Sequence, residues 1–309
     1  MSHLSFDTKV RIVGALVEGT SIRAAERLHQ THRDTIMRLG LTVGAACLNL
    51  HDNLMTDLQV NVLEVDEIWS FIGKKQKRVR PDDDPDLGDQ YTFIGLDANK
   101  KAIVSFLVGK RDGVSTDNFA LDLRQRILNR PQITSDGFKP YVEAIEMAFG
   151  RGGADFAQII KVYGHIEDDD HKYSPPKCIG AQRNTISGKP AWENISTSYV
   201  ERQNLTMRMQ MRRFTRLTNA FSKRLPNHRA AVSLYVCWYN FCRVHETLRT
   251  TPAVAIGVAE RVWSLAELVD TALSMAPRSG DPSPGLAMPE PSLAAGGPRF
   301  ALLRGGRVS

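Results

Sequence analysis

The sequence predicts an α/β protein in which a mixed β-sheet is flanked by helices and preceded by a small all-α domain. Three observations predict this fold class. Residues 6–45 space their apolar side chains as short helices do, residues 61–164 alternate strand-like and helix-like segments, and further helices follow from about residue 198. The length of 309 residues suits about two domains of roughly 100–200 residues each.

Residues 1–45 are predicted to form the all-α domain from three short helices. Apolar residues follow helical spacing in FDTKVRIVGALVEG, TSIRAAERLHQ begins a second helix at Thr20 or Ser21, and THRDTIMRLGL begins a third with Thr31 as N-cap. The tight link between the last two is typical of a helix-turn-helix, although small helical hairpins without that function are also common. Four early residues of the third helix are predicted to contact bases or phosphates: His32, Arg33, Thr35 and Arg38.

Residues 46–60 are predicted to be a linker, and residues 61–257 the larger domain. Its segments read as three strands, a helix, a strand, a helix, a strand and then helices, which is the order of a ribonuclease-H-like domain. The first strand is expected at 61–72 and the first helix of this domain is expected to be capped near Ser115 or Thr116.

The second half of the chain is predicted to be mostly helical. A long polar loop at 165–195 leads into a basic helix that starts near Ser198, and another helix is expected from about 227 to 243. A C-terminal helix is expected at 258–274. The remaining residues, 275–309, are rich in Pro, Gly, Ala, Ser and Arg without periodicity and are predicted to be disordered.

Composition excludes several classes of protein. No segment approaches the ~20 apolar residues of a membrane helix, and the N-terminus MSHLSFDTKV has no apolar signal region. The four cysteines form no CxxC pair, which argues against a zinc ribbon and against a disulfide framework. We therefore expect a reduced, cytoplasmic protein with no membrane partner.

Basic charge is concentrated in one part of the chain. Between Val200 and Thr250 there are ten Arg or Lys residues and two Glu residues, a net charge of +8, whereas the whole chain carries +6. Such a stretch suits a polyanionic partner, although a solubilising surface would have the same composition.

Three acidic residues stand out because each lies in or directly beside a strand or helix of the predicted larger domain. Asp66 lies in the apolar strand VLEVDEIWSF, Asp136 follows the strand in ITSDG, and Glu201 opens the basic helix in STSYVERQN. Neighbouring carboxylates repel each other, and a divalent cation removes that conflict. Mg²⁺ prefers carboxylate and water oxygens, and two ions ~3.5–4 Å apart can clamp the oxygens of a phosphoryl transfer.

Each acid also has an alternative interpretation. Asp136 precedes Gly137 and could be a turn or cap residue. Glu201 could close a capping box with Ser198 as N-cap. On the first strand, period-two alternation places Glu64 on the face of Asp66 and Glu67 on the other face, so a neighbour could be mistaken for the ligand. Asp97 could add a fourth carboxylate, but DANKK favours a turn.

The sequence resembles the DDE transposases encoded by small bacterial insertion sequences, which are related to the integrase superfamily. The matching segments are VDEIWSF, TSDG, YVERQN with the following RRFTRLTNAFSK, and WYNFCRVHETLRTTPA. The resemblance implies that Asp66, Asp136 and Glu201 are the catalytic residues and bind two Mg²⁺ or Mn²⁺ ions, with Asp66 bridging both. It also places WYNFCRVHETLRTTPA against the catalytic core, so Trp238 and its neighbours are interpreted as structural.

The same resemblance implies partners and a location. The helix-turn-helix would bind terminal inverted repeats, the catalytic domain would cleave DNA and join the 3′ end to target DNA, and at least a homodimer would assemble on DNA. No small-molecule substrate is implied. The protein would lie in the bacterial cytoplasm and associate with the nucleoid when bound.

The residue pattern of the predicted helix that contains Glu201 favours DNA as a partner. Glu201, Arg208 and Arg212 share one predicted helical stripe, and Val200, Met207, Met211 and Phe214 form the opposite, buried side. Asn204, Arg208 and Arg212 are therefore predicted to bind DNA. Two other functions stay open: a non-catalytic helix-turn-helix regulator with inert acids, and a ribonuclease-H-like nuclease that cuts without joining.

Overall fold

A computed structural model describes residues 4–163, 178–215 and 219–275. They form a mixed α/β fold around one six-stranded sheet with helices packed against it. The strands are β1 (Val62–Ile72), β2 (Gly88–Asp97), β3 (Ile103–Gly109), β4 (Gln132–Ser135), β5 (Asp155–Tyr163) and β6 (Cys178–Ser187).

The sheet has the spatial order β3-β2-β1-β4-β5-β6. The pairs β1–β2, β2–β3 and β5–β6 are antiparallel, whereas β1–β4 and β4–β5 are parallel. The central strand β1 is therefore antiparallel to one neighbour and parallel to the other. Its parallel partner is short, so the two ladders end at different points along β1.

Three helices precede the first strand, two lie between strands, and four follow the last strand of the described residues. They are α1 (Phe6–Val17), α2 (Ile22–His29), α3 (Arg33–Leu54), α4 (Gly113–Arg126), α5 (Pro140–Phe149), α6 (Ser198–Gln210), α7 (Leu225–Cys237), α8 (Pro252–Ala255) and α9 (Leu265–Met275). A π-helical turn, Trp238–Cys242, continues α7. None of the helices in the described ranges has the length and apolar character needed to cross a bilayer.

Helix α3 is longer than the sequence analysis predicts. Residues 46–54, expected to begin a linker, are helical, and α3 packs against both α7 and α9. The cause is a continued apolar stripe: Cys47, Leu50 and His51 are buried, and the ring of His51 hydrogen-bonds the carbonyl of Ile103 (3.2 Å). Three N-terminal helices are present as expected, but their division into a separate domain stays a prediction.

Several helix starts differ from the predicted caps. His32, not Thr31, is the N-cap of α3, and its Nδ1 accepts a hydrogen bond from the Asp34 amide. Asp112 caps α4 in place of Ser115 or Thr116, whereas α6 begins at Ser198 as predicted. The C-terminal helix begins at Leu265, seven residues later than predicted. Side-chain hydrogen bonds set the caps of α3 and α4, and several candidate cap residues lie side by side in the sequence.

The predicted polar loop at 165–195 contains a strand. Residues 178–187 form β6, which pairs antiparallel with β5 at the edge of the sheet. Its side chains from Ile179 onward are mostly exposed, so no buried face imposes the alternation by which strands are recognised in a sequence. Residues 164–177 and the predicted disordered tail at 276–309 lie outside the described residues.

The segment around Trp238 packs into the core, as predicted. Trp238, Tyr239 and Asn240 are buried. The Asn240 amide accepts a hydrogen bond from the Ile103 amide (3.0 Å) and donates one to the Ile103 carbonyl (2.9 Å). This two-point contact joins the π-helical turn to β3 and satisfies a buried backbone pair.

Candidate active site

The site begins where the parallel ladder between β1 and β4 ends. The last paired residues are Val65 on β1 and Ser135 on β4, and the next residue of each strand is an aspartate, Asp66 and Asp136. Because β1 and β4 run parallel and in register up to this point, the residues that follow lie side by side. Oxygens of Asp66, Glu67 and Asp136 all lie within 4.8 Å of one another.

Glu67 belongs to this cluster, although alternation along β1 predicted that it points away. Its carboxylate accepts hydrogen bonds from Nε of Arg111 (2.5 Å) and from the hydroxyl of Tyr141 (3.0 Å). The neighbouring strand β4 has already ended at Ser135, so the longer glutamate side chain reaches the acidic edge. Arg111 also approaches Asp136 (3.8 Å), and its guanidinium lies over the ring of Phe138.

Glu201 faces the same cavity from the first turn of α6. This cavity has a volume of about 740 Å³ and is lined by Asp66, Asp136 and Glu201 together with Arg111 and Lys161. The hydroxyl of Thr197 donates to one oxygen of Glu201 (2.6 Å), and Lys161 on β5 forms an ion pair with the other. Three acids that are distant in sequence therefore converge on one cavity.

Burial and mutual repulsion disfavour charge on this cluster. Desolvation, then the charges of Glu67 and Asp136, raise the pKa of Asp66 to about 7. Desolvation and the charge of Asp136 also raise the pKa of Glu67, although Arg111 opposes the shift. Burial beside these acids raises the pKa of Tyr141 well above its ordinary value. A cation placed here would relieve the repulsion.

Glu64 has a different function from Asp66, although both lie on β1. Its buried carboxylate accepts hydrogen bonds from the backbone amides of Tyr199 (2.8 Å) and Val200 (2.9 Å) at the start of α6. The alternative interpretation of Glu201 as part of a capping box does not hold: Glu201 accepts a hydrogen bond from Thr197 and forms an ion pair with Lys161, and the Ser198 amide donates to the Ser196 hydroxyl. Glu64 therefore caps α6 from another strand and fixes the helix that carries Glu201.

We expect Glu64→Ala to lower the free energy of unfolding by about 1–3 kcal/mol, because two buried amides lose their acceptor. Glu64→Gln should cost less, since its amide oxygen can still accept both hydrogen bonds. Denaturant unfolding measures both changes, and a Mn²⁺ titration of Glu64→Gln should match that of the unaltered protein. Loss of Mn²⁺ binding in Glu64→Gln as complete as in Asp66→Asn would instead make Glu64 a ligand.

The predicted DNA-binding residues of α6 and its continuation have different environments. Asn204, predicted to bind DNA, is buried and donates a hydrogen bond to Oδ2 of Asp66 (2.8 Å), and its contact with DNA stays a prediction. Arg208 is half-buried on α6. Arg212 is exposed but lies on the 3-10 turn Arg212–Phe214, because α6 ends at Gln210 before the predicted stripe does.

The predicted DNA-contacting residues of α3 lie at its first turns. His32, Arg33 and Arg38 are exposed and Thr35 is half-buried, so the solvent-facing part of the expectation is met. The packing side of α6 also agrees with the sequence, since Val200, Met207, Met211 and Phe214 are all buried. Whether these α3 residues touch DNA stays a prediction.

The sequence analysis missed three residues of the cavity region: Arg111, Tyr141 and Lys161. Each contacts a carboxylate of the cluster or of Glu201. Lys161 carried the clearest signal, because a lysine in the apolar strand FAQIIKVYG needs an acidic neighbour or solvent. Arg111 follows β3 and Tyr141 opens α5, and neither position is unusual for its residue type.

Comparisons with known proteins return little sequence similarity. No protein-family model matches this chain, and no curated protein matches it. Among solved structures, a cryo-EM structure of a piggyBac transposase synaptic complex with hairpin DNA is similar, with a TM-score of 0.47 and 10% sequence identity. The match covers 88% of this chain and 70% of that chain.

Proposed function

We propose that this protein is a DNA transposase with a ribonuclease-H-like catalytic domain, which cleaves and joins phosphodiesters with divalent metal ions. The observation that carries the proposal is the convergence of Asp66, Asp136 and Glu201 on one cavity. These residues lie 70 and 65 positions apart in the sequence, so only the fold brings them together.

The donor set fits a hard cation such as Mg²⁺ or Mn²⁺. Every acidic donor is a carboxylate oxygen, and desolvation by burial, followed by the charges of Glu67 and Asp136, raises the pKa of Asp66. Oδ1 of Asn204 is a further buried oxygen with no partner among the described residues. Asp66, Asp136 and Glu201 would hold one or two such ions, which would acidify a bound water and offset charge on the phosphate.

The protein's own residues orient the acids. Asn204 holds one oxygen of Asp66, and Glu201 is held through both of its oxygens, one by Thr197 and the other by Lys161, so Lys161 would have to release its oxygen for an ion to bind there. Such outer partners fix ligand orientation and raise metal affinity. Arg111 and Lys161 pair with the acids and line the cavity wall, where they can also donate to phosphate oxygens.

The same proposal names DNA as partner. The first turns of α3, with His32, Arg33, Thr35 and Arg38, would bind the terminal inverted repeats of a mobile element. The cavity would then act on the element end and on target DNA. One active site cannot easily process two ends, so a homodimer or larger assembly would form on DNA.

A strand-transfer assay tests the proposal. Purified protein is incubated with Mg²⁺, a duplex carrying the inverted repeat that flanks its gene, and plasmid target DNA. We expect cleavage of the uncut duplex and joining of a pre-cut 3′ end to the plasmid. Cleavage without joining would instead favour a nuclease, and binding without either reaction would favour the non-catalytic regulator.

A further inference from the structure

A second cleft lies away from the acidic cavity, between the N-terminal helices and the segment that follows α6. Its volume is about 960 Å³. One wall comes from α1, α2 and the start of α3, and the other from Met211–Arg213, residues 219–224 and α7. Leu16, Ile36 and Leu234 contribute apolar surface to its lining.

The charges of this cleft are one-sided. Six basic residues line it: Arg23, Arg38, Arg212, Arg213, Lys223 and Arg224. Among the described residues that line the cleft, Asp34 is the one acid, and its carboxylate forms ion pairs with His32 and Arg33 at the start of α3. Apolar walls lower the local dielectric constant, which strengthens the attraction of such a cleft for anions.

Arg213 distinguishes this cleft from an ordinary solvated basic surface. Its guanidinium is half-buried and donates a hydrogen bond to the hydroxyl of Ser222 (2.8 Å), but no carboxylate in the described part of the chain forms an ion pair with it. Burial lowers its pKa. The Ser222 hydroxyl is shared with a ring nitrogen of buried His228 (2.9 Å), which supplies no negative charge.

The most deeply buried guanidinium in the described part of the chain is paired with acids: Arg126, which is 7% exposed, contacts both Asp52 and Asp122. Because a partly buried charge without a counter-charge is costly, an anionic ligand in this cleft would supply what no described carboxylate supplies to Arg213.

We propose that this cleft binds the phosphate backbone of duplex DNA. The inference rests on the proposed function in taking DNA as the partner. The cleft joins the predicted reading helix, through Arg38, to the turn that directly follows α6. Since α6 rises ~1.5 Å per residue and the cleft begins at Met211, just after the helix ends, Glu201 and the cleft are about 15 Å apart along it, within reach of one duplex.

Binding of a labelled duplex of about three helical turns, measured by fluorescence anisotropy in EDTA over a salt series, tests the cleft without catalysis. We expect Lys223→Gln with Arg224→Gln to weaken binding about tenfold or more and to lower the salt slope by about 1.8. The matched control is Lys77→Gln with Arg78→Gln, an exposed neighbouring pair on the 3-10 turn Gln76–Arg78, which should bind within about twofold of the unaltered protein.

Arg213→Met supplies a second, opposed readout. Removing an unpaired charge and keeping the volume should raise the melting temperature in EDTA, whereas duplex binding should weaken and the salt slope should fall by about 0.9. A structural arginine would give a lower melting temperature and unchanged binding, which would overturn the proposal.

Two further outcomes would also overturn it: equal binding by the cleft and control variants, or competition by inorganic phosphate and a nucleotide as strong as by duplex. Failure of the catalytic proposal looks different. In that case the cleft variants still bind duplex more weakly than the control pair, but the unaltered protein neither cuts nor joins DNA in Mg²⁺.

Discussion

Replacement of Asp66 by asparagine is expected to lower Mg²⁺-dependent strand cleavage by at least about 10³-fold. Asp66 is the member of the cluster that is near Glu67, Asp136 and Glu201 at once, so its charge would be shared by any ion held there. An amide keeps the shape of the side chain but cannot supply that charge. The loss of several kcal/mol of metal-dependent stabilisation corresponds to this factor in rate.

The control for this variant is Asp97→Asn. Asp97 is also buried on the sheet, but its carboxylate accepts hydrogen bonds from the amides of Asn99 and Lys100 in a turn, as the sequence predicted. It does not line the acidic cavity. Asp97→Asn should cleave at close to the unaltered rate, and Asp66→Asn should bind duplex normally. Cleavage by Asp66→Asn within tenfold of the unaltered protein would contradict the assignment of Asp66.

Saturating Mn²⁺ is expected to raise the melting temperature by about 5–10 °C. The cluster of Asp66, Glu67 and Asp136 is strained by repulsion in the absence of a cation, and a ligand that binds only the folded state stabilises it by about 2.7 kcal/mol at 100 times its Kd. For a chain of this size each kcal/mol is worth roughly 2–4 °C. Differential scanning fluorimetry with and without EDTA measures the shift.

Variants of the acidic cluster test whether this rise in melting temperature comes from Mn²⁺ bound there. Asp66→Asn and Asp136→Asn should lose most of it, and Asp66→Asn in EDTA should melt at or above the unaltered protein because repulsion with Glu67 is gone. Asp97→Asn should keep the full shift. A Mn²⁺ shift that survives in Asp66→Asn would place the ion elsewhere, and no shift at all in the unaltered protein would remove the metal from the account.

The adjacency of Asp66 and Asp136 could be predicted because it depends on topology alone. β1 and β4 run parallel and in register up to Val65 and Ser135, so the residues that follow lie side by side, and the ribonuclease-H-like order of strands and helices made these two strands candidates for neighbours. Glu67 could not be placed in this way. Period-two alternation assigns it to the other face, but that rule gives the direction of a side chain and not the reach of a glutamate beyond the end of β4.

Elements without a strong apolar pattern were the ones that the sequence left out. Strand β6 is at the edge and mostly exposed, so its residues resemble a loop. Glu64, more than 130 residues earlier in the sequence, accepts hydrogen bonds from the amides at the start of α6. The local sequence SYVE instead has the pattern of a capping box, which does not form. Contacts between residues distant in the sequence determine both features. The ion pairs of Arg111 with Glu67 and of Lys161 with Glu201 are likewise long-range and leave no local pattern in the sequence.

Anomalous scattering from a crystal grown with Mn²⁺ tests the central claim most directly. The account predicts a peak at the cavity, with carboxylate oxygens of Asp66 and Asp136 at ordinary Mn²⁺–oxygen distances and with Glu201 on the same or a second ion. A well-occupied Mn²⁺ bound elsewhere, with Asp66 still paired to Asn204 alone and the cavity free of metal, would contradict it.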